Sequence, residues 1–269
     1  MPPNDKRRHG ARRTPWCCLT SEQPALLLHG QPGGACDWDA VAGVLGASAV
    51  AIDRPGWDGR SQPTDLAGNA RAALAALDAR GIDRATVVGH SLGSAVAAWI
   101  AAHQPDRVAA LVLAAPAANV ASLYALDRWL AVPVAGYLAS VASLGGLGLA
   151  LTAGPARRRI AAKLAIDDGY LRSAATRLRS PAAWRAFTIE QRSLVRDLPA
   201  LEQRLPRISA PTTIVAGSGD RLVPVTAAGT LAAQINGAEL IVLERAGHFV
   251  QLQFPRRLAD IIGGASRTC

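Results

Sequence analysis

An alternation of short apolar runs with longer stretches of helical periodicity constrains this chain more than any other feature. Ala25–Leu28 and Ala49–Ile52 are apolar runs bounded by Gly, Pro or Asp. Thr86–Val88 and Val108–Leu113 follow, and Thr212–Ala216 and Leu240–Leu243 close the series after a long interval. Leu66–Arg80 repeats Leu and Ala at helical spacing and stops at Gly81, while Leu92–His103, Thr226–Ile235 and Arg256–Ile262 read as further helices. Strands alternating with helices predict an α/β fold, a mostly parallel sheet with helices on both faces.

The interval Ala117–Leu205 breaks this rhythm, with helical periodicity and no convincing strand. It reads as a helical insertion over the carboxyl edge of the sheet, where ligands of open α/β sheets bind. The expected organisation is a basic tail over 1–20, a core built from 21–116 and 206–265, and the insertion over 117–205. With 269 residues, half of them hydrophobic, the chain is long enough for one such domain. Inside the insertion, Trp129–Ala156 is a run of 28 residues without a charge. Its length would cross a bilayer. Pro133, Gly136, Gly145, Gly146, Gly148 and Gly154 punctuate it, however, and strands of one sheet lie on both sides. A buried or interfacial lid is the expectation.

The formal charge is +9, unevenly placed. Lys6, Arg7, Arg8, Arg12 and Arg13 against Asp5 give the tail +4, and residues 157–207 hold twelve basic and five acidic side chains, a net +7. Only Lys6 and Lys163 are lysines among 29 basic residues, a bias typical of GC-rich bacterial coding. Without a nucleic-acid-binding motif, a solvated arginine-rich surface is the reading, and no nucleic-acid partner is expected. The basic N-terminus has no apolar stretch behind it, unlike a secretory signal. Cys17, Cys18, Cys36 and Cys269 show neither metal spacing nor a C-x-x-C pair, so reduced thiols in a cytoplasm and no metal site are expected.

Four segments carry chemistry. Gly89-His90-Ser91-Leu92-Gly93 sits between a predicted strand and a predicted helix. A serine hydroxyl becomes a useful nucleophile only when held exposed beside a base, and a sharp strand-to-helix turn flanked by small residues exposes it. Leu27-Leu28-His29-Gly30-Gln31-Pro32-Gly33-Gly34 follows the first strand. Acyl transfer builds charge on the carbonyl oxygen, and the amides of Gln31 and Leu92 are the expected donors to it. Gly217-Ser218-Gly219-Asp220 follows the fifth strand, where a carboxylate can hold an imidazole in the tautomer a base needs. Ala246-Gly247-His248-Phe249 follows the last strand. Among five histidines, His29 belongs to the donor loop, His90 is turned away from Ser91 by adjacency, and His103 ends a helix. His248 alone completes the order Ser, Asp, His.

These motifs, in this order, resemble the α/β-hydrolase superfamily from about Ala25 to Ile262. Asp53-Arg54-Pro55-Gly56-Trp57 is similar to that family's loop after its next strand, and Pro105-Asp106-Arg107-Val108 to its helix-to-strand turn. The resemblance implies the sheet order, a helical cap, cofactor-independent hydrolysis, a Ser91, Asp220 and His248 triad, and an oxyanion hole of Gln31 and Leu92. Two departures stand out. Relatives begin with an antiparallel hairpin, for which only Cys17–Thr20 offers a short strand, and Trp57–Ser61 is one residue longer than the usual loop.

The expected reaction is hydrolysis of a small, uncharged, apolar ester or related acyl substrate through an acyl-enzyme. Thioester, lactone and carbon–carbon bond hydrolysis stay open on the same triad. Trp38, Trp57, Trp129, Leu130 and Phe249 are candidates for an apolar pocket wall, with core packing equally open for each. A non-catalytic binding protein is the rival outside enzymology. Peripheral contact with anionic lipid through the insertion is a further expectation.

Overall fold

The computed structural model describes residues 23–267. The tail and the strand expected at Cys17–Thr20 lie outside the described residues.

Six strands form one parallel sheet: β1 (Ala25–Leu28), β2 (Ala49–Ile52), β3 (Ala85–His90), β4 (Val108–Ala114), β5 (Thr212–Gly217) and β6 (Glu239–Leu243). Their order is β2-β1-β3-β4-β5-β6. β1 pairs with β3 from Ala25 opposite Thr86 to Leu28 opposite Gly89, which brings the loops after both strands to one edge. Side chains alternate between two cores, as a period of two demands. Leu26, Leu28, Val87, Leu111 and Leu113 face one, and Ala25, Leu27, Val88, Val112 and Ala114 the other. Every residue of β1, β3 and β4 is buried, which explains why those runs are apolar but for Thr86 and His90.

The first core is closed by α2 (Leu66–Asp78), α3 (Leu92–His103) and α10 (Val225–Gln234). The second is closed by α1 (Asp39–Leu45), the short α11 (Val250–Gln253) and α12 (Pro255–Arg267), with α1 in contact with both of the others. α2 starts where the Asp65 carboxylate accepts from the Gly68 amide at 2.7 Å, a side-chain cap for an otherwise unpaired donor.

Between β4 and β5 lie α4 (Ala125–Leu130), α5 (Pro133–Ser140), α6 (Gly146–Ala150), α7 (Gly154–Leu164), α8 (Asp168–Leu178) and α9 (Pro181–Glu202). Pro133, Pro155 and Pro181 each sit in the first turn of a helix, where the missing N–H costs nothing. α9 anchors the insertion. Its Leu194, Leu198 and Leu201 enter the first core, and the helix contacts α2, α3, α4 and α5.

Candidate active site

The Ser91 turn is built by close packing. Ser91 has φ 52° and ψ −122°, a conformation that costs free energy for any residue with a Cβ. Its amide donates to the Ala114 carbonyl at 3.0 Å, and its carbonyl accepts from Ser94 and Ala117 at 2.9 and 3.2 Å. A Cβ on Gly89 would lie 2.3 Å from the Gly93 oxygen, and one on Gly93 would lie 2.3 Å from the Leu28 oxygen. Only glycine lets α3 leave β3 this tightly beneath the β1 loop.

Asp220 hangs from the loop after β5. Its Oδ1 accepts from the amides of Leu222 and Val223 at 2.8 and 2.9 Å, and its Oδ2 accepts from His248 Nδ1 at 2.8 Å. Burial pushes its carboxyl upward, but the His248 bond and charge and the two amides outweigh it and hold Asp220 below the ordinary carboxylate range. Because a carboxylate only accepts, Nδ1 of His248 carries the proton and Nε2 is left free to take another.

Ser91, His248, Gln31 and Leu92 line one cavity of about 590 Å³. Leu92 opens α3, so its amide has no partner within the helix. The cavity wall is largely apolar, with Ala117, Leu123, Leu130 and Phe187 among its residues, and Leu126, Leu222 and Arg221 at exposed positions. An amide chain crosses it. Gln31 Nε2 donates to Gln191 Oε1 at 2.6 Å, and Gln191 Nε2 donates to Asp127 Oδ1 at 3.0 Å.

Of the aromatic and apolar wall candidates, Leu130 lines the cavity; the other four do not. Trp38 is buried in the second core, since the loop after β1 turns it under the sheet. Trp57 is buried and donates from Nε1 to Glu190 at 2.9 Å. Trp129 is half exposed on the outer surface of α4. Phe249 packs against the apolar cluster between α6, α7 and α8. Leu222 and Val223, next to the acid, are within reach of sequence reasoning. Phe187, Gln191 and Asp127 are not, because their inward turn depends on how the insertion helices are rotated.

Two histidines have work other than proton transfer. His90 does not line the cavity: its Nε2 donates to the His248 carbonyl at 2.9 Å, and Gln251 Nε2 donates to its Nδ1 at 3.3 Å. Burial, helped by the neighbouring His248, lowers its pKa from 6.5 to about 3, so it stays neutral. His29 is buried under the donor loop, accepting from the Arg54 amide on Nε2 at 3.0 Å. Burial and the Arg54 charge hold it well below the usual imidazole range. Arg54 itself donates to the carbonyls of His29 and Gly30 at 2.9 Å each and pairs with Glu190 of α9.

A sequence profile of the alpha/beta hydrolase family matches residues 25–261, and this chain belongs to that family. By class it is a hydrolase. It is 27% identical over 256 residues to 2-hydroxymuconate semialdehyde hydrolase of Pseudomonas putida, covering 89% of this chain and 85% of that protein. It is 30% identical over 262 residues to 2-hydroxy-6-oxononadienedioate/2-hydroxy-6-oxononatrienedioate hydrolase 2 of Pseudomonas putida, covering 89% and 87%. Among solved structures, a hydrolase from Pseudomonas aeruginosa PA01 is similar with a TM-score of 0.66 and 26% identity, over 91% of this chain and 90% of that one.

Proposed function

We propose that this chain is a serine hydrolase that breaks a carbon–carbon bond beside a carbonyl, in a hydroxy-oxo-dienoate of the kind its relatives are named for. The observation that carries the reading is the buried Asp220–His248 pair facing the cavity that also holds Ser91. Two of the similar proteins take such acids by name. Arg221, exposed on the cavity wall, offers a cation for the substrate's carboxylate.

In this reading the Ser91 hydroxyl oxygen bonds to the carbonyl carbon while its proton passes to His248 Nε2. The new oxyanion accepts from the amides of Gln31 and Leu92. The carbon–carbon bond then breaks, its electron pair going to the leaving carbon, which takes the proton back from His248. Water next loses a proton to His248 and attacks the acyl carbon, and Ser91 leaves with that proton restored. One water is consumed, and a carboxylic acid and a shortened unsaturated acid are released. Asp220 orients the imidazole and stabilises its protonated form throughout.

The test is parallel turnover of 2-hydroxymuconate semialdehyde, p-nitrophenyl esters and simple lactones by wild type, Ser91→Ala and His248→Ala. The expected result is a kcat/KM for the dienoate about a hundredfold above the esters, with kcat falling by about 10⁴ or more in both variants. A second reading, ester or lactone hydrolysis, is favoured by the apolar majority of the cavity wall. A substrate preference the other way round selects it, and turnover of nothing by folded protein defeats both.

A further inference from the structure

The insertion carries an apolar surface that the cavity leaves unused. α5, a π turn over Val141–Gly145 and α6 run as one charge-free helix from Pro133 to Ala150. Its buried positions are Gly136, Ser140, Leu144 and Gly148, one every four residues, on the side where α5 contacts α9 and α6 contacts α8. Small side chains dominate the inward stripe, while large ones face out: Val134 is 72% exposed, Leu138 61% and Leu149 65%. A helix on the surface of a water-soluble domain has the opposite arrangement. Tyr124, Leu126, Trp129 and Val132 extend the patch through α4. Eight of the thirteen exposed large apolar side chains among the described residues thus fall in 124–149.

Exposed arginines flank the patch, along the chain and across a groove. Arg128 lies between Leu126 and Trp129, Arg192 shares a groove with Ala131 and the exposed Ile189, and Arg158 and Arg159 stand on the helix that follows. None of these four takes part in an ion pair among the described residues, whereas Asp65 and Asp197 nearby are engaged by Arg196.

We infer that this face docks on the surface of an anionic lipid bilayer, with the helix from Pro133 to Ala150 lying flat at the interface. An apolar face flanked by guanidinium groups outside any ion pair matches acyl chains beneath anionic headgroups. A second copy of the chain matches poorly, since a twofold pairing would set arginines against arginines. A transmembrane span would strip the helix from α8 and α9, so the contact is peripheral. Leu126 belongs to both the patch and the cavity wall, and the exposed Leu222 lies on that same wall, so docking brings the cavity mouth to the lipid. The inference does not rest on the proposed reaction.

The experiment is flotation of the intact protein with vesicles of phosphatidylcholine alone or with about one-third phosphatidylglycerol. Flotation with the anionic vesicles, weakened at about 0.5 M salt, is expected, together with quenching of Trp129 emission by brominated lipid that Trp129→Phe abolishes. The double variant Leu138→Ser/Leu149→Ser should bind those vesicles at least about tenfold more weakly, with turnover in lipid-free buffer unchanged. Arg158→Gln/Arg159→Gln should lose the preference for anionic lipid. Should the leucine variant fail to fold, the salt-dependent flotation of wild type and the quenching still decide. No flotation with either vesicle overturns the inference, and so does equal binding to both. A dimer in sedimentation that the leucine variant disperses reassigns the face to self-association.

Discussion

Asp220 takes three N–H donors on two oxygens, and that arrangement makes its replacement informative. In Asp220→Asn the new amide keeps the shape but loses the charge and gains donors, so it can present N–H to His248 and turn the imidazole to the wrong tautomer. We expect kcat to fall by about 10³- to 10⁴-fold with the fold intact, measured by steady-state kinetics beside circular dichroism. Arg221 has a different signature. If it holds a substrate carboxylate, Arg221→Gln raises KM for the dienoate about tenfold with kcat little changed, and leaves neutral esters unaffected. A fall in kcat alone would remove Arg221 from binding. Ser91, Asp220 and His248 stand out in the sequence because each is marked by its neighbours in the chain, at the end of a strand and in a glycine-rich turn. Tryptophans carry no such local mark. Whether Trp38 points into a cavity or under the sheet is decided by packing many residues away, and the part His90 plays depends on a carbonyl 158 positions later.

At the scale of elements, the insertion is held to the core by two buried polar clusters. Arg54, on the loop after β2, pairs with Glu190 of α9, which also accepts from Trp57 at 2.9 Å and Asn69 at 3.3 Å. Burial pushes the Glu190 carboxyl upward against the pull of Arg54. Asp37, just before α1, accepts from the Tyr170 hydroxyl of α8 at 3.0 Å and lies 3.5 Å from the Arg177 guanidinium. Removing one partner of a buried pair strands the other, so Glu190→Ala should cost about 3–5 kcal/mol in urea unfolding. Arg54→Met/Glu190→Leu should cost clearly less than the sum of the two single changes. Additive costs would show that the pair is not the latch. The strands are legible in the sequence to within about two residues, most plainly β1, β3 and β4, where burial on both faces leaves a nearly continuous apolar signature. The insertion is legible only as helical. Its run from Trp129 reads as one apolar stretch, yet Pro133 breaks α4 from α5, and α1 leaves little periodic signal because its short run buries little beyond Val41.

Over the whole molecule, the buried histidines set the response to acid. His29 and His90 are neutral in the folded protein because burial excludes their charged forms, while in the unfolded chain each binds a proton below its ordinary value of 6.5. The unfolded state therefore holds more protons in that window, and stability rises with pH across it. Read downward, stability is lost from about pH 6.5, continuing toward about 3 for His90. Each group contributes a slope of up to about 1.4 kcal/mol per pH unit. Asp37 and Glu190 act with the opposite sign. Burial raises both above their ordinary values, so the folded state takes up protons first as pH falls and the acid loss is partly offset near the carboxylate range. The loss that the two histidines cause should thus set in below about pH 6.5, the two raised carboxyls working against it. Urea midpoints at pH 7, 6 and 5 measure it, and His90→Gln isolates one contribution, because glutamine keeps a donor for the His248 carbonyl and has no proton to gain. The variant should be less stable than wild type at pH 7 and lose stability more slowly toward pH 5. Parallel lines for the two proteins would mean that the acid response comes from elsewhere.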